Sequence, residues 1–146
     1  MENIIIRKVN ENEFEIVTKM VLDVFMKFEA PDYSEEGIET FKDFVSSKDR
    51  LKDLMIFGAY IENELVGIIA TRNNGNHIAL FFVKEEYQGK KIGKKLFNKV
   101  LECSNDSITV NSSPYAVEVY KHLGFKIVEP EKIEDGIRFT KMILEK

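Results

Sequence analysis

The segment His77 to Val83 constrains the fold most. Its run Ile78-Ala79-Leu80-Phe81-Phe82-Val83 is apolar at odd and even positions alike. Successive side chains of a strand point to opposite faces. A strand of this kind is therefore covered on both sides and lies at the centre of a sheet. It follows Asn74-Gly75, a hairpin turn whose residues tolerate positive φ. It precedes a loop, Lys84 to Gly89, that opens into a helix.

The other elements arrange themselves around this strand. Asn3 to Val9 reads as a first strand. Asn12 with Glu15 three residues on forms a capping-box pattern, followed by Ile16, Val17, Met20, Val21, Val24 and Phe28 at helical spacing. Ala30-Pro31-Asp32 ends that helix, because the residue before a proline avoids the helical region. Ser34 starts a second helix with Glu35 and Glu36 in its first turn, where the helix dipole favours acids. Met55 to Ile61 and Leu65 to Thr71 form a meander through the turn Glu62-Asn63-Glu64. After the central strand, Ile92, Leu96, Val100 and Cys103 make a buried helical stripe. Ser107 to Val110 is a strand, and Ser113 caps a helix with Pro114 at its first position. Gly124 closes that helix, and strands at Lys126 to Val128 and Ile137 to Leu144 end the chain. The order is β, two helices, three strands, helix, strand, helix, two strands. It predicts one α/β (α+β) domain over 1–146, with a mixed central sheet and helices on both faces.

Composition narrows the function. A chain of 146 residues with a formal net charge of −4 lacks the phosphate-neutralising surface of a general nucleic-acid binder. No apolar run reaches the roughly 20 residues of a membrane span. The start Met1-Glu2-Asn3-Ile4 has no basic region before its apolar run, so it does not read as a signal peptide. One cysteine excludes an internal disulfide and a cysteine-rich metal site. No paired ligand spacing marks a metal site. The expectation is a cytoplasmic protein without a metal, acting on neither membrane nor nucleic acid. A homodimer is compatible with the sequence.

The charge is nevertheless uneven. Lys84, Lys90, Lys91, Lys94, Lys95 and Lys99 crowd the start of the third helix, beside Gln88-Gly89-Lys90-Lys91-Ile92-Gly93. A helix N-terminus offers unpaired N–H groups and a partial positive charge, and glycine lets a phosphate approach the backbone. Gly93 costs about 1 kcal/mol against alanine inside a helix, which points to close approach by another group. Two readings stand together: a solvated lysine face, or an anion site in an acidic protein.

Gln88-x-x-Lys91-x-Gly93 after the central strand, then Asn111, Tyr120 and Leu123-Gly124-Phe125, resemble the Gcn5-related N-acetyltransferase (GNAT) family. The order of elements matches along nearly the whole chain. The family loop reads Gln/Arg-x-x-Gly-x-Gly/Ala, so Lys91 stands where the family has glycine. The resemblance implies a mostly antiparallel sheet and acetyl-CoA as cosubstrate. It implies that the backbone of Phe81, Phe82 and Val83 pairs with the pantetheine arm. Amides of Gln88, Gly89, Lys90, Lys91, Ile92, Gly93 and Lys94 would hold the pyrophosphate, with Asn111 and Ser113 as further cofactor contacts. The implied reaction is direct attack of a primary amine on the thioester in a ternary complex, with a β-strand N–H polarising the carbonyl and Tyr120 protonating the leaving thiolate.

The proton leaving the amine needs an acceptor. His77, Glu29 and water are the candidates, and His77 begins the central strand near the position where some members carry a glutamate. The acceptor site is expected among Phe25, Phe28, Tyr33, Phe41 and Phe139, with Glu29 at hand and with Asp32, Glu35 and Glu36 attracting a cation. The acceptor's identity stays open between small molecule and protein. So does the alternative of a non-catalytic coenzyme A-binding or protein-interaction module on the same fold.

Overall fold

A computed structural model describes residues 3–145. The first two residues and the last, which the single-domain reading includes, lie outside it. Eight strands form one sheet in the order β1-β2-β3-β4-β5-β8-β6, with β7 paired to β8. They are β1 Ile4–Lys8, β2 Met55–Ile61, β3 Glu64–Arg72, β4 His77–Val83, β5 Ile108–Ser112, β6 Lys126–Ile127, β7 Lys132–Glu134 and β8 Ile137–Leu144. Every pairing is antiparallel except that of β4 with β5. The helices are α1 Phe14–Phe28, α2 Glu35–Val45, α3 Lys48–Lys52, α4 Ile92–Cys103 and α5 Val117–His122.

The sheet is covered on both faces, as the two-sided β4 run requires. One layer packs α1 and α2 on Ile56, Ile68, Leu80 and Phe82. The other packs α4 and α5 on Ile69, Ile78, Ile108 and Met142. Ile78 and Leu80 fall in different layers although two residues apart. The cause is a β-bulge: Ala70 pairs with Leu80 and Thr71 with Ile78, which leaves Ala79 as the extra residue. The bulge reverses the inward–outward alternation within a single strand.

Several expectations need correction. The first cap lies two residues earlier, where the Asn10 N–H donates to Glu13 Oε1 at 2.9 Å. A 3₁₀ turn, Glu11–Glu13, then leads into α1. Ile16 is exposed on α1, whose buried face is carried by Phe14, Val17, Met20, Val21, Val24 and Phe25. Cys103 is exposed, because the buried stripe of α4 runs through Ile92, Leu96, Phe97 and Val100 and leaves the helix end in solvent. Helix α3 and strand β7 were not foreseen. The signal for β7 is Asp135-Gly136, both at positive φ (52° and 80°), the dipeptide of a tight hairpin.

That hairpin is pressed onto α2. A Cβ built on Gly37 would lie 2.1 Å from the Gly136 carbonyl oxygen, and one on Gly136 would lie 2.3 Å from the Gly37 nitrogen. The Thr40 hydroxyl donates to the Asp135 carbonyl at 2.9 Å, and an Arg138 N–H donates to the Asp32 carbonyl at 3.2 Å. Glycine is required here by backbone meeting backbone, which no rotamer change relieves. Gly37→Ala should therefore lower the melting temperature despite alanine's better helix propensity. Overpacking costs about 1–3 kcal/mol, against a gain of about 1 kcal/mol from propensity. A thermal melt showing an unchanged or raised Tm would refute the close contact.

Candidate active site

Strands β4 and β5 pair only at His77↔Thr109 and Ile78↔Val110. Beyond Ile78 they part, and among the described residues no strand pairs with β4 on that side. The bulge at Ala79 sits at the point of parting. Two chambers open along the exposed edge. One, of about 790 Å³, is lined by Phe81, Phe82 and Val83 of β4, by Gln88, Gly89, Lys91, Ile92, Gly93 and Lys94 of the loop and α4, and by Tyr115, Val119, Tyr120 and His122 around α5. The other, of about 310 Å³, lies under α2 and is lined by Tyr33, Phe41, Phe44, Asn111, Ser113 and Ile137 among others. Glu29, Phe81, Phe82, Ala116 and Tyr120 belong to both, so they mark the neck of one continuous cleft.

The loop before α4 joins a left-handed helix cap to a cluster of lysines. Lys91 caps the helix at φ 67°, in the left-handed region, which accounts for glycine as the usual residue at this position. Gly89 turns at φ 80° beside it. The Gln88 amide donates to the Val83 carbonyl at 2.9 Å, tying the loop to the end of β4. Lys84 and Lys99 are paired with Glu64 and Glu102. Among the described residues Lys90, Lys91, Lys94 and Lys95 have no ion pair. A Cβ on Gly93 would make only ordinary contacts, with the Phe81 ring at 3.5 Å and Val83 Cγ2 at 3.9 Å. The protein's own packing leaves room there, so the glycine keeps the cleft wall low instead of avoiding a clash.

The neck carries one carboxylate, the half-buried Glu29. Burial pushes the Glu29 carboxyl up to about 7, opposed in part by the Ser113 hydroxyl and reinforced by Asp32. Tyr120 is buried, and burial together with the Glu29 charge raises its phenol well above the ordinary range. Tyr33, in the second chamber, is raised for the same two reasons. Tyr120 packs on Phe81 and Phe125, with ring centroids at 6.2 and 5.3 Å.

The structure separates the expected site residues into groups. Phe81, Phe82, Val83, Gln88, Gly89, Lys91, Ile92, Gly93, Lys94 and Tyr120 share the larger chamber, and Lys90 stands outside it with its ammonium 5.5 Å from the Tyr87 ring centroid. Asn111 and Ser113 line the smaller chamber. His77 lines neither chamber. It sits where β4 and β5 are still paired, with Nδ1 2.7 Å from Thr109 Oγ1, and burial with Arg72 and Lys141 lowers its pKa to about 4. Of the five aromatics, Tyr33 and Phe41 reach the smaller chamber. Phe25 is core, stacked on Phe41 at 3.9 Å, and Phe28 packs against Tyr115 at 5.3 Å. Phe139, Asp32, Glu35 and Glu36 line neither chamber. Arg50, Arg72, Thr40 and Phe44 were missed, because they come from elements whose meeting no local pattern announces.

The comparisons with known proteins agree with this geometry. Residues 29–146 match the family model for an acetyltransferase (GNAT) domain. The chain belongs to the GNAT acetyltransferase family, and it is an acyltransferase. Among solved structures it is similar to a GCN5-related N-acetyltransferase from Rhodopseudomonas palustris, with TM-score 0.86, 18% identity and coverage of 100% of this chain and 98% of that one. It is also similar to the PaiA N-acetyltransferase from Thermoplasma acidophilum in complex with coenzyme A, with TM-score 0.79, 24% identity and 99% of each chain covered. No curated protein matches it significantly by sequence. No helix among the described residues is long and apolar enough to cross a membrane.

Left-handed backbone at a residue with a Cβ costs about 1–2 kcal/mol, and glycine returns part of that as unfolded-state entropy. Lys91→Gly should therefore raise Tm by about 1–4 °C. A fall in Tm would show instead that the lysine side chain holds the loop.

Proposed function

We propose that the protein transfers an acetyl group from acetyl-CoA to a primary amine, both held in one ternary complex. The observation that carries this reading is the single cleft along the parted edge of β4, basic at one end and with Glu29 and Tyr120 at its neck. The chain fits the cosubstrate in three ways. The unpaired β4 edge offers backbone N–H and C=O groups to an extended amide-bearing arm. The loop and first turn of α4 offer helix N-terminal amides, with Lys91 and Lys94 lining the chamber, to phosphates. The apolar wall of Phe81, Val83 and Val119 suits an alkyl chain. Acetyl-CoA would bring an activated thioester to the neck, and holding it beside the amine supplies much of the acceleration.

The protein's own groups then manage two protons. An ordinary ammonium has a pKa near 10, and the amine must lose its proton before attack. Glu29 is the group placed to take it, in preference to His77. Burial raises the carboxyl and lowers the ammonium, so the gap between them narrows from both sides. Tyr120 stays protonated across the usable pH range and faces the same neck. Its hydroxyl donates to the departing sulfur, and a β4 N–H polarises the carbonyl.

Acetyl-CoA at 100 times its Kd should stabilise the protein by about 2.7 kcal/mol, a Tm rise of about 5–10 °C. Tyr120→Phe should retain that rise while lowering kcat by about 10²- to 10⁴-fold, measured by thiol release over an amine panel. Absence of any stabilisation at millimolar acetyl-CoA would sink the reading. Stabilisation without thiol release from any amine would mark a binding module instead.

Glu29 gives a second test. The kcat/KM profile should rise through an ionisation near pH 7, and Glu29→Gln should remove that limb and lower kcat/KM about 10²- to 10⁴-fold. The same group shapes stability without any substrate. Its folded pKa of about 7 lies above its ordinary 4.5, so the folded state holds the proton more tightly. The stabilisation is full below about pH 4.5 and is lost as pH rises through about 7. Urea melts of the variant should lack that decline; a decline that persists in the variant assigns it to another group.

A further inference from the structure

The sequence has four arginines, at positions 7, 50, 72 and 138. Arg7 pairs with Glu13 and Arg138 with Glu131. Among the described residues Arg50 and Arg72 have no ion pair. Both of these unpaired guanidinium groups line the smaller chamber, at the end away from the α4 loop. They also line a shallower outer recess that shares Phe44 with it, where Asp53 is the one carboxylate. The outer end of the cleft therefore carries two free cationic forks against a single acid.

From these positions we infer that the acceptor is a primary amine that itself bears a carboxylate, with an apolar body between the two groups. This rests on the acetyl-transfer reading and specifies its substrate class. Glu29 at the neck receives the amine, and Arg50 and Arg72 receive the carboxylate, for which the planar guanidinium is a bidentate match. Tyr33, Phe41 and Phe44 form the apolar wall between them. The register sets the length. Phe81 at the neck pairs with Ile69, and Arg72 lies three residues further along β3. At about 3.3 Å per residue, the two stations are about 10 Å apart along the strand, less the reach of the arginine side chains. That spacing fits an amino acid whose amine and carboxylate are separated by a chain of several atoms, and not an α-amino acid, whose two groups share one carbon. A plain cationic amine would leave both guanidinium groups without a counter-charge.

The test uses matched pairs that differ only in the carboxylate: 6-aminohexanoate against pentylamine, and phenylalanine against phenethylamine. Each is titrated calorimetrically into the protein, and each is assayed for thiol release with acetyl-CoA. The expected result is that 6-aminohexanoate is favoured over pentylamine by about 10- to 100-fold, the scale of charge-assisted hydrogen bonds, while phenylalanine gains little over phenethylamine. Preference for phenylalanine alone would overturn the spacing and with it the inference. In Arg72→Gln and Arg50→Gln the ratio should collapse toward one, and Arg72→Lys, which keeps charge but loses the fork, should fall between. Both arginines are exposed, so their replacement tests recognition and not folding. Equal binding of 6-aminohexanoate and pentylamine, binding of no acid, or a preference that survives in both glutamine variants would overturn the inference. Acetyl-CoA binding and thiol release with the amines that lack a carboxylate report on the transferase reading separately. That reading stands if they succeed while the acid preference fails.

Discussion

The parting of β4 from β5 is the constraint from which the site follows. A parallel pair that continued to the end of β4 would close the sheet and bury the edge. Two paired residues hold the strands together at His77 and Ile78, and the bulge at Ala79 then turns β4 away. What remains is a buried strand with one side of its backbone unpaired. Unpaired backbone polar groups are costly unless something meets them, and the cleft along them is where a ligand with amide groups can do so. The same parting places Glu29, Tyr120 and Phe81 around the narrowest point.

Electrostatics divides the cleft into stations. The acidic chain sets four lysines without ion pairs, Lys90, Lys91, Lys94 and Lys95, around the start of α4, one half-buried carboxylate at the neck and two guanidinium groups without ion pairs at the far end. Each charge is set by a different device. Lys91 is offered by a left-handed cap, Glu29 is held half-buried at a neck that favours its neutral form, and Arg72 is carried at the end of β3. The chemistry thus depends on where water is excluded. Glu29 titrates in a useful range only because the packing of α1 and α5 withdraws it in part from solvent. Tyr120 is pushed out of that range by the same burial.

Much of this was legible in the sequence. The two-sided run of β4, the caps at Ser34 and Ser113 and the turn at Gly124 depend on local chemistry, and local pattern found them. The left-handed turn at Gly89 and the helix start at Ile92 were legible from the glycines and lysines there. The bulge at Ala79 left no mark, since alanine suits a strand and a bulge alike. His77 was a candidate because it begins β4, and it lies where β4 is still paired with β5, outside both chambers. Cys103 was misplaced because an apolar stripe does not reveal where a helix outruns its sheet. The smaller chamber is assembled from α2, α3, α5, β3, β4, β5 and β8 with Glu29 and Tyr33 from the connection between the first two helices, and no single stretch carries its signature. The unpaired state of Arg50 and Arg72 is a property of three-dimensional neighbours alone.

The seam between Gly37 and Gly136 joins segments about a hundred positions apart without using a single side chain. It fixes the distance between α2 and the last hairpin while leaving the residues on either side free to vary. Tyr33, Phe41, Phe44 and Ile137 can then be exchanged for others without loosening the frame that holds them. Lineages sharing this seam could diverge in acceptor by changing wall residues one at a time, each step compatible with an intact fold. Loss of either glycine would end that freedom, because the spacing itself would become a variable.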